Sequence, residues 1–324
     1  MTTKMWKMLA ALLAIPVGAV VAAAPAEAIA NGESVPDGRY PFAVKLIDNG
    51  IPTTDGGTRD SSCSGGLISP HWVLTAGHCF QDENGDRVDR PVAEESLAAV
   101  GRTDLTGEDG HMAEVVEVRQ HGSADVALAR LDRAITDITP LRLSRKRPAA
   151  GQKARLVGYG FTKATNRKTP DRLRTGQFKV SGVEKVEMGL SGLAPKASTS
   201  PCERDSGGPY FTESGGAATV IGVVSRGPSC PHTGPDIATR VDAVAPWILK
   251  VIKSDLAAPS KSPASSPAPG RSRSKPVAAP QAGPPAALTL RPVALLSIPV
   301  VVVATIGIAL AVRGKRRYRG RRRY

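Results

Sequence analysis

Between residues 40 and 240 the chain is built of short apolar runs separated by clusters of Gly, Pro, Asn and Asp: "FAVKLI", "GLIS", "WVLTAG", "AEVVEVRQ", "DVALARL", "ARLVGYG", "TGQFKV", "TVIGVVS" and "DIATRV". Many of these runs alternate at period two and valine is frequent, the pattern of half-buried strands. Strands so closely spaced predict an all-β sandwich or barrel. Helical spacing occurs near the end of this region, in "VDAVAPWILKVIKSDL", where Val244, Trp247, Ile248 and Val251 share a face. No internal repeat is visible.

The two ends break this pattern. Residues 1–28 carry Lys4 and Lys7, an apolar run and then Ala26-Glu27-Ala28. That is the layout of a secretory signal peptide, with a short membrane anchor as the alternative. Pro292 to Val312 form 21 residues without a charge, long enough to cross a hydrocarbon core of about 30 Å as a helix. The tail at 313–324 follows at once with eight bases and no acid, and such a bias keeps a tail cytoplasmic and the bulk of the chain outside. A buried core helix fits less well, given Pro299 and the abutting bases. A wall anchor fits less well too, because no L-P-x-T-G precedes the span. Residues 256–291 are rich in Pro, Ala and Ser and lack acids, which predicts an extended spacer without a core. Its cleavage would release a soluble form. One ordered domain remains, residues 29–255.

Charge and cysteine count narrow the function. The net charge is +14, but the signal, linker and tail carry all of it and residues 29–255 are neutral. Nucleic-acid binding is therefore not expected. All four cysteines, Cys63, Cys79, Cys202 and Cys230, lie in the domain, an even count that favours disulfides in an exported protein. They contain no C-x-x-C pair, which argues against zinc. The acidic stretch "QDENGDRVD" (81–89) lacks the glutamate a calcium loop requires, since Ala93 stands there. No metal or cofactor is expected.

Three segments carry chemistry. "CSGGLISPHWVLTAGHC" (63–79) encloses His78 between two cysteines, "ADVALARL" (124–131) puts Asp125 at the start of an apolar run, and "CERDSGGPY" (202–210) presents Ser206 in a Gly-rich loop. Acyl transfer by serine needs a base to take the hydroxyl proton and an acid to orient and stabilise the imidazolium. Asp104 and Asp109 compete with Asp125 for the last role, but both lie in the Gly-rich "GRTDLTGEDG".

At "LTAGHC", "DVALARL" and "DSGGP", in this order, residues 29–253 resemble the trypsin/chymotrypsin family of serine proteases, in particular secreted actinomycete forms with a C-terminal membrane anchor. The resemblance implies two six-stranded antiparallel β-barrels with a C-terminal helix, to which the transmembrane helix would be added. It implies His78 as base, Asp125 as its orienting acid and Ser206 as nucleophile, with an oxyanion hole from the amides of Arg204 and Ser206. It pairs Cys63 with Cys79 and Cys202 with Cys230, and matches Ser225 to the serine that supports the aspartate. In this family a freed N-terminus pairs with the acid before the nucleophile, here Asp205. Cleavage after Ala28 would free Ile29 for that role, while cleavage after Ala26 would leave a two-residue pro-peptide.

The chain also departs from the family. Arg204 occupies the oxyanion glycine, which leaves two outcomes open: a strained or flipped peptide, or a tolerated backbone with a cation over the leaving-group side. Ser200 matches the floor of the specificity pocket where trypsin-like cleavage needs aspartate. Asp236 matches a second floor position and would supply a negative charge from the opposite wall, unless it blocks the pocket or pairs with Arg226. Gly227 keeps the wall that binds the substrate strand. The expectation is a monomeric, membrane-anchored, extracellular serine endopeptidase acting on proteins or peptides. The alternatives are a non-catalytic binding module of the same fold and an esterase using the same triad.

Overall fold

The computed structural model describes residues 29–257. The expected signal peptide, transmembrane span and basic tail, and the linker beyond Ala257, lie outside the described residues. Among the described residues no helix is long and apolar enough to cross a membrane.

The amino-terminal half contributes strands β1 (Glu33–Ser34), β2 (Ala43–Pro52), β3 (Thr58–Ser69), β4 (Trp72–Thr75), β5 (Glu95–Val100), β6 (His111–Gln120) and β7 (Ala127–Leu131). The other half contributes β8 (Arg142–Leu143), β9 (Lys153–Gly158), β10 (Arg174–Val183), β11 (Glu187–Ala194), β12 (Pro209–Ser214), β13 (Ala217–Arg226) and β14 (Asp236–Arg240). Helices α1 (Val241–Val251) and α2 (Lys253–Ala257) follow, so the fold runs two residues past the boundary expected at 255.

Strands β2-β3-β4-β7-β6-β5 close the first barrel. Strands β9-β10-β11-β14-β13-β12 form the second, closed by antiparallel pairing of β12 with β9. These are the two six-stranded barrels that the resemblance implies. Two short strands join the second barrel from outside it, β1 antiparallel to β10 and β8 parallel to β13.

The longer strands turn most of their apolar positions inward. On β2, Val44 and Leu46 are buried while Lys45 and Ile47 are partly exposed, the period-two alternation of a sheet with one wet face. Leu156, Phe178, Met188 and Leu190 fill the second barrel, and Ile29 packs among them with 0% of its surface exposed. An aromatic cluster joins the two barrels. Tyr40 and Phe42, ahead of β2, meet Phe211 of β12 edge-on, with centroids 5.2 and 5.1 Å away. Such pairs add about 0.5–1.5 kcal/mol each beyond the area they bury.

Helix α1 presents Val244 and Ile248 to the core, with Trp247 and Val251 half-buried beside them, the face expected from the sequence. Trp247 also meets His121 edge-on at 5.2 Å. Helix α2 is pinned back on the first barrel, where Asp255 accepts from the His71 backbone amide at 3.0 Å and contacts His71 Nδ1 at 2.5 Å.

Candidate active site

His78 lies in a single 3-10 turn, Gly77–Cys79, that follows β4. A disulfide from Cys79 to Cys63 on β3 fixes this turn to the barrel wall. Asp125 lies just ahead of β7 and reaches the turn from the other side. One of its oxygens accepts the His78 backbone amide at 2.9 Å, and the other is 2.8 Å from His78 Nδ1. The second barrel completes the grip: Ser225 Oγ on β13 donates to Asp125 Oδ2 at 2.6 Å, and Thr239 Oγ1 on β14 donates to the Asp125 carbonyl at 3.0 Å. The carboxylate is thus held across the cleft by both barrels. Burial is the largest single influence on it and opposes its charge, but the bonds from His78 and Ser225 together outweigh burial and hold its pKa down at about 2. A carboxylate so placed fixes the imidazole with its Nε2 free to exchange a proton.

Asp104 and Asp109, the competing acids, lie elsewhere. They line a separate groove, in which Asp104 pairs with Arg172 at 2.9 Å.

Ser206 is half-exposed in the loop between β11 and β12, and Cys202–Cys230 ties that loop to the segment before β14. Backbone bonds set its shape: Asp205 N–H to the Cys202 carbonyl at 3.0 Å, Gly208 N–H to the Asp205 carbonyl at 2.9 Å, and Ser64 N–H to the Ser206 carbonyl at 2.9 Å. Gly207 has φ +83°, and a Cβ there would stand 2.0 Å from Thr75 Oγ1, so only glycine fits. Among the described residues no hydrogen bond joins Ser206 Oγ to His78, and neither the Arg204 nor the Ser206 amide hydrogen has a partner within the protein. Two unspent donors beside a serine hydroxyl are the raw material of an oxyanion site.

At Arg204 the structure shows part of each outcome left open by the sequence: a strained backbone and a side chain with partners. Its φ is +76°, the left-handed region, so the loop keeps the backbone that a glycine would adopt. An L-residue there costs roughly 1–2 kcal/mol. The side chain makes compensating contacts: Nη1 donates to Ser61 Oγ on β3 at 2.5 Å, and the guanidinium lies 5.8 Å from the Phe161 ring centroid. It therefore bridges the two barrels on the side of Ser206 facing β3.

Asp205 is fully buried, its oxygens accepting the amides of Gly160 at 2.8 Å and Cys202 at 2.9 Å. Burial dominates and raises its pKa to about 7, against the opposing pull of the Cys202, Gly160 and Ile29 backbone amides. The Ile29 backbone amide is thus near enough to favour the Asp205 charge, although no hydrogen bond joins the two among the described residues.

A cavity opens from Ser206 and is lined by Val224, Ser225, Gly227, Cys230 and Asp236 among others. Gly227 is required here, since a Cβ would meet Asp236 Oδ1 at 2.0 Å. Ser200 does not line this cavity. It is fully buried behind it, its hydroxyl accepting the His232 amide at 3.4 Å. Pairing of Asp236 with Arg226 does not occur: Arg226 is engaged by Glu187 through two bonds of 2.7 and 2.9 Å. The partner of Asp236 is His232, whose Nε2 is 3.1 Å from Oδ1. His232 had no place in the sequence reading. Its signal was the four-residue spacing in "HTGPD", which a turn brings together.

No group of acids, histidines or cysteines among the described residues is arranged to hold a metal ion. In the 81–89 loop Asp82 Oδ1 accepts the amides of Asn84 and Asp86, both at 3.0 Å, which satisfies the turn internally.

Comparison with known proteins agrees with this fold. Residues 29–248 match the family model described as Trypsin. Among curated proteins, glucanase inhibitor protein 3 of Phytophthora infestans is 30% identical over 239 residues, spanning 66% of this chain and 86% of the relative. Glucanase inhibitor protein 2 of Phytophthora sojae is 27% identical over 266 residues, 72% of this chain and 85% of the relative. Among solved structures, the serine protease neuropsin of mouse brain superposes with a TM-score of 0.55 at 21% identity, covering 69% of this chain and all of that one.

Proposed function

Because the chain belongs to the trypsin family, we propose that it is an exported serine endopeptidase with His78, Asp125 and Ser206 as its triad. The observation that carries this reading is the anchoring of His78 Nδ1 by Asp125, itself held by Ser225 from the opposite barrel. Ser206 Oγ would attack the scissile carbonyl carbon and pass its proton to His78 Nε2. Asp125 would stabilise the resulting imidazolium, and the Arg204 and Ser206 amides would bind the oxyanion. His78 would return the proton to the leaving amine, and water would release the acyl group by the same steps. The missing Ser206–His78 bond is compatible with this, since catalytic hydrogen bonds often tighten only when substrate is bound.

Cleavage after Ala28 would convert the Ile29 amide into an ammonium already adjacent to Asp205. A fully buried carboxylate whose donors are backbone amides is costly, and an ammonium partner offsets that cost. Mass analysis of the exported protein tests this, and a chain beginning at Glu27 would overturn it. The apolar stretch 292–312 would hold the domain at the outer face of the membrane, with residues 313–324 inside. Extraction from membranes only by detergent is the expected behaviour.

A second reading follows from the names of the relatives, which are inhibitors of glucanases: a trypsin-fold module that binds another protein without cleaving it. Profiling against a peptide library separates the two. Reproducible cleavage lost on Ser206→Ala supports the endopeptidase. Failure to cleave any peptide, together with inhibition of a glucan-cleaving enzyme, supports the module. Brisk ester turnover without peptide cleavage would point to an esterase.

A further inference from the structure

The cavity beside Ser206 contains a buried acid whose bonding is incomplete. Asp236 is 2% exposed, yet its Oδ2 has no hydrogen-bond partner among the described residues, and neither does His232 Nδ1 behind it. Its other oxygen is held by His232 Nε2 at 3.1 Å, and the His232 side chain is itself only 11% exposed. We propose that Asp236 in the wall of this cavity and His232 bonded to it form a proton-carrying pair, and that a cationic substrate side chain entering the cavity displaces one proton to solvent. His232 is then a positioning residue for selectivity, acting through Asp236.

The argument is one of charge balance. A lone carboxylate at this depth is unfavourable, so the empty pair retains a proton on either the carboxyl or the imidazole. Burial raises the Asp236 carboxyl to about 8, with Asp205 adding to the effect, while burial lowers His232. A guanidinium or amidinium in the cavity brings the same positive charge to the Asp236 side chain that lines it and makes the proton redundant. One cation enters, one proton leaves, and the charge of the wall is unchanged.

The surroundings allow this exchange. Asp205 faces Asp236 from the nucleophile loop and Tyr210 faces it from β12. Tyr210 is buried with its hydroxyl unpartnered, and its ionisation is pushed well above the ordinary tyrosine range. The charged side chains of β11 and β13, Glu187 and Arg226, are engaged with each other. His232 is therefore the group placed to trade a proton with Asp236. Ser200 secures the histidine by accepting its backbone amide.

This inference rests on the reading that the cavity receives a substrate side chain, but its test needs no turnover. Benzamidine, an aryl amidinium, and its neutral isostere benzamide are titrated into the purified full chain from about pH 5.5 to 8.5, the range of histidine and raised-carboxyl ionisations. The ratio of their affinities cancels pH effects common to both, including those of His78 and the N-terminus. The expected ratio rises by up to about tenfold per pH unit, with proton release approaching one per amidinium bound on that limb, and then levels as the release falls to zero. Asp236→Asn should flatten the ratio. His232→Gln keeps a donor to Asp236 but cannot hold the proton, so it should preserve the high-pH affinity and move the rise to lower pH. His232→Ala loses the donor and should weaken benzamidine about tenfold at every pH. A ratio that is flat in the unmodified protein, or that rises equally in Asp236→Asn, would overturn the proposal. If peptide cleavage is absent but the ratio behaves as expected, the endopeptidase reading fails and this one stands.

Discussion

Asp125 and Asp205 stand one on each side of the candidate site, and both are acceptors: Asp125 of three hydrogen bonds, from the His78 amide, His78 Nδ1 and Ser225, and Asp205 of two, from the amides of Gly160 and Cys202. Their ionisation nevertheless moves in opposite directions, to about 2 for Asp125 and about 7 for Asp205. Two differences account for this. Asp125 keeps 21% of its side chain exposed, whereas Asp205 has none. Asp125 also faces an imidazole that can become a cation, whereas the donors at Asp205 are neutral amides. Hydrogen bonds alone do not sustain a fully buried charge, and a partner able to carry the opposite charge does. The His–Asp half of the site is complete as it stands. Under the proposed reading, a cut before Ile29 would supply Asp205 with the ammonium it lacks.

That contrast can be broken at four points. Asp125→Asn should have the largest effect, about 10⁴-fold in kcat, because the amide leaves the imidazole in the wrong tautomer. Steady-state kinetics at saturating peptide reads it, and a loss under tenfold would show that the complete half does not work as described. An alanine added ahead of Ile29 should come next, lowering kcat by about 10²-fold, the scale of one lost oxyanion donor. The two forms should also differ in stability with pH. With only amides facing it, Asp205 has a folded pKa of about 7, above its ordinary value of 3.8, so its favourable contribution is present below pH 4 and lost as pH rises to 7. The extended form should therefore lose stability relative to the Ile29 form across that window, as read by denaturant melts.

For Asp125 the sign is reversed. Its stabilising contribution is present above about pH 4 and lost as pH falls through about 2. Ser225→Ala removes one of its donors, so the loss should begin at higher pH, with kcat reduced about tenfold, the worth of one charge-assisted bond. The smallest effect belongs to Arg204→Gly. It relieves a residue at φ +76° but forfeits the contacts to Ser61 and Phe161, so the gain should be about 1 kcal/mol or less. A destabilisation in the same melts would mean that those contacts outweigh the strain.

The strand pattern and the catalytic motifs were legible in the chain because each is local. "LTAGHC" sets a turn between cysteines, and "DSGGP" sets a loop in which Gly207 alone fits its close packing. Five strands are absent from the apolar runs: β1 and β8 are two residues each, β12 follows directly on the nucleophile loop, and β5 and β11 are missed for a physical reason. β5 carries Ala98 and Ala99, and β11 carries Gly189 and Gly192, residues of low strand propensity that hold their place through pairing with neighbours. The wall of the cavity was the least legible part. Arg226 and Asp236 invited pairing by charge, but the sheet register turns Arg226 toward Glu187 and leaves Asp236 to His232. Registers between strands distant in sequence cannot be read from a single run of residues.

The central claim is that Ser206 is a nucleophile activated by His78. Intact-protein mass after treatment with a fluorophosphonate tests it most directly, using the form that begins at Ile29 and its His78→Ala variant. The account predicts stoichiometric phosphonylation that maps to Ser206 in the first and falls at least about 10³-fold in rate in the second. No adduct on Ser206, or an adduct formed equally fast without His78, would contradict it.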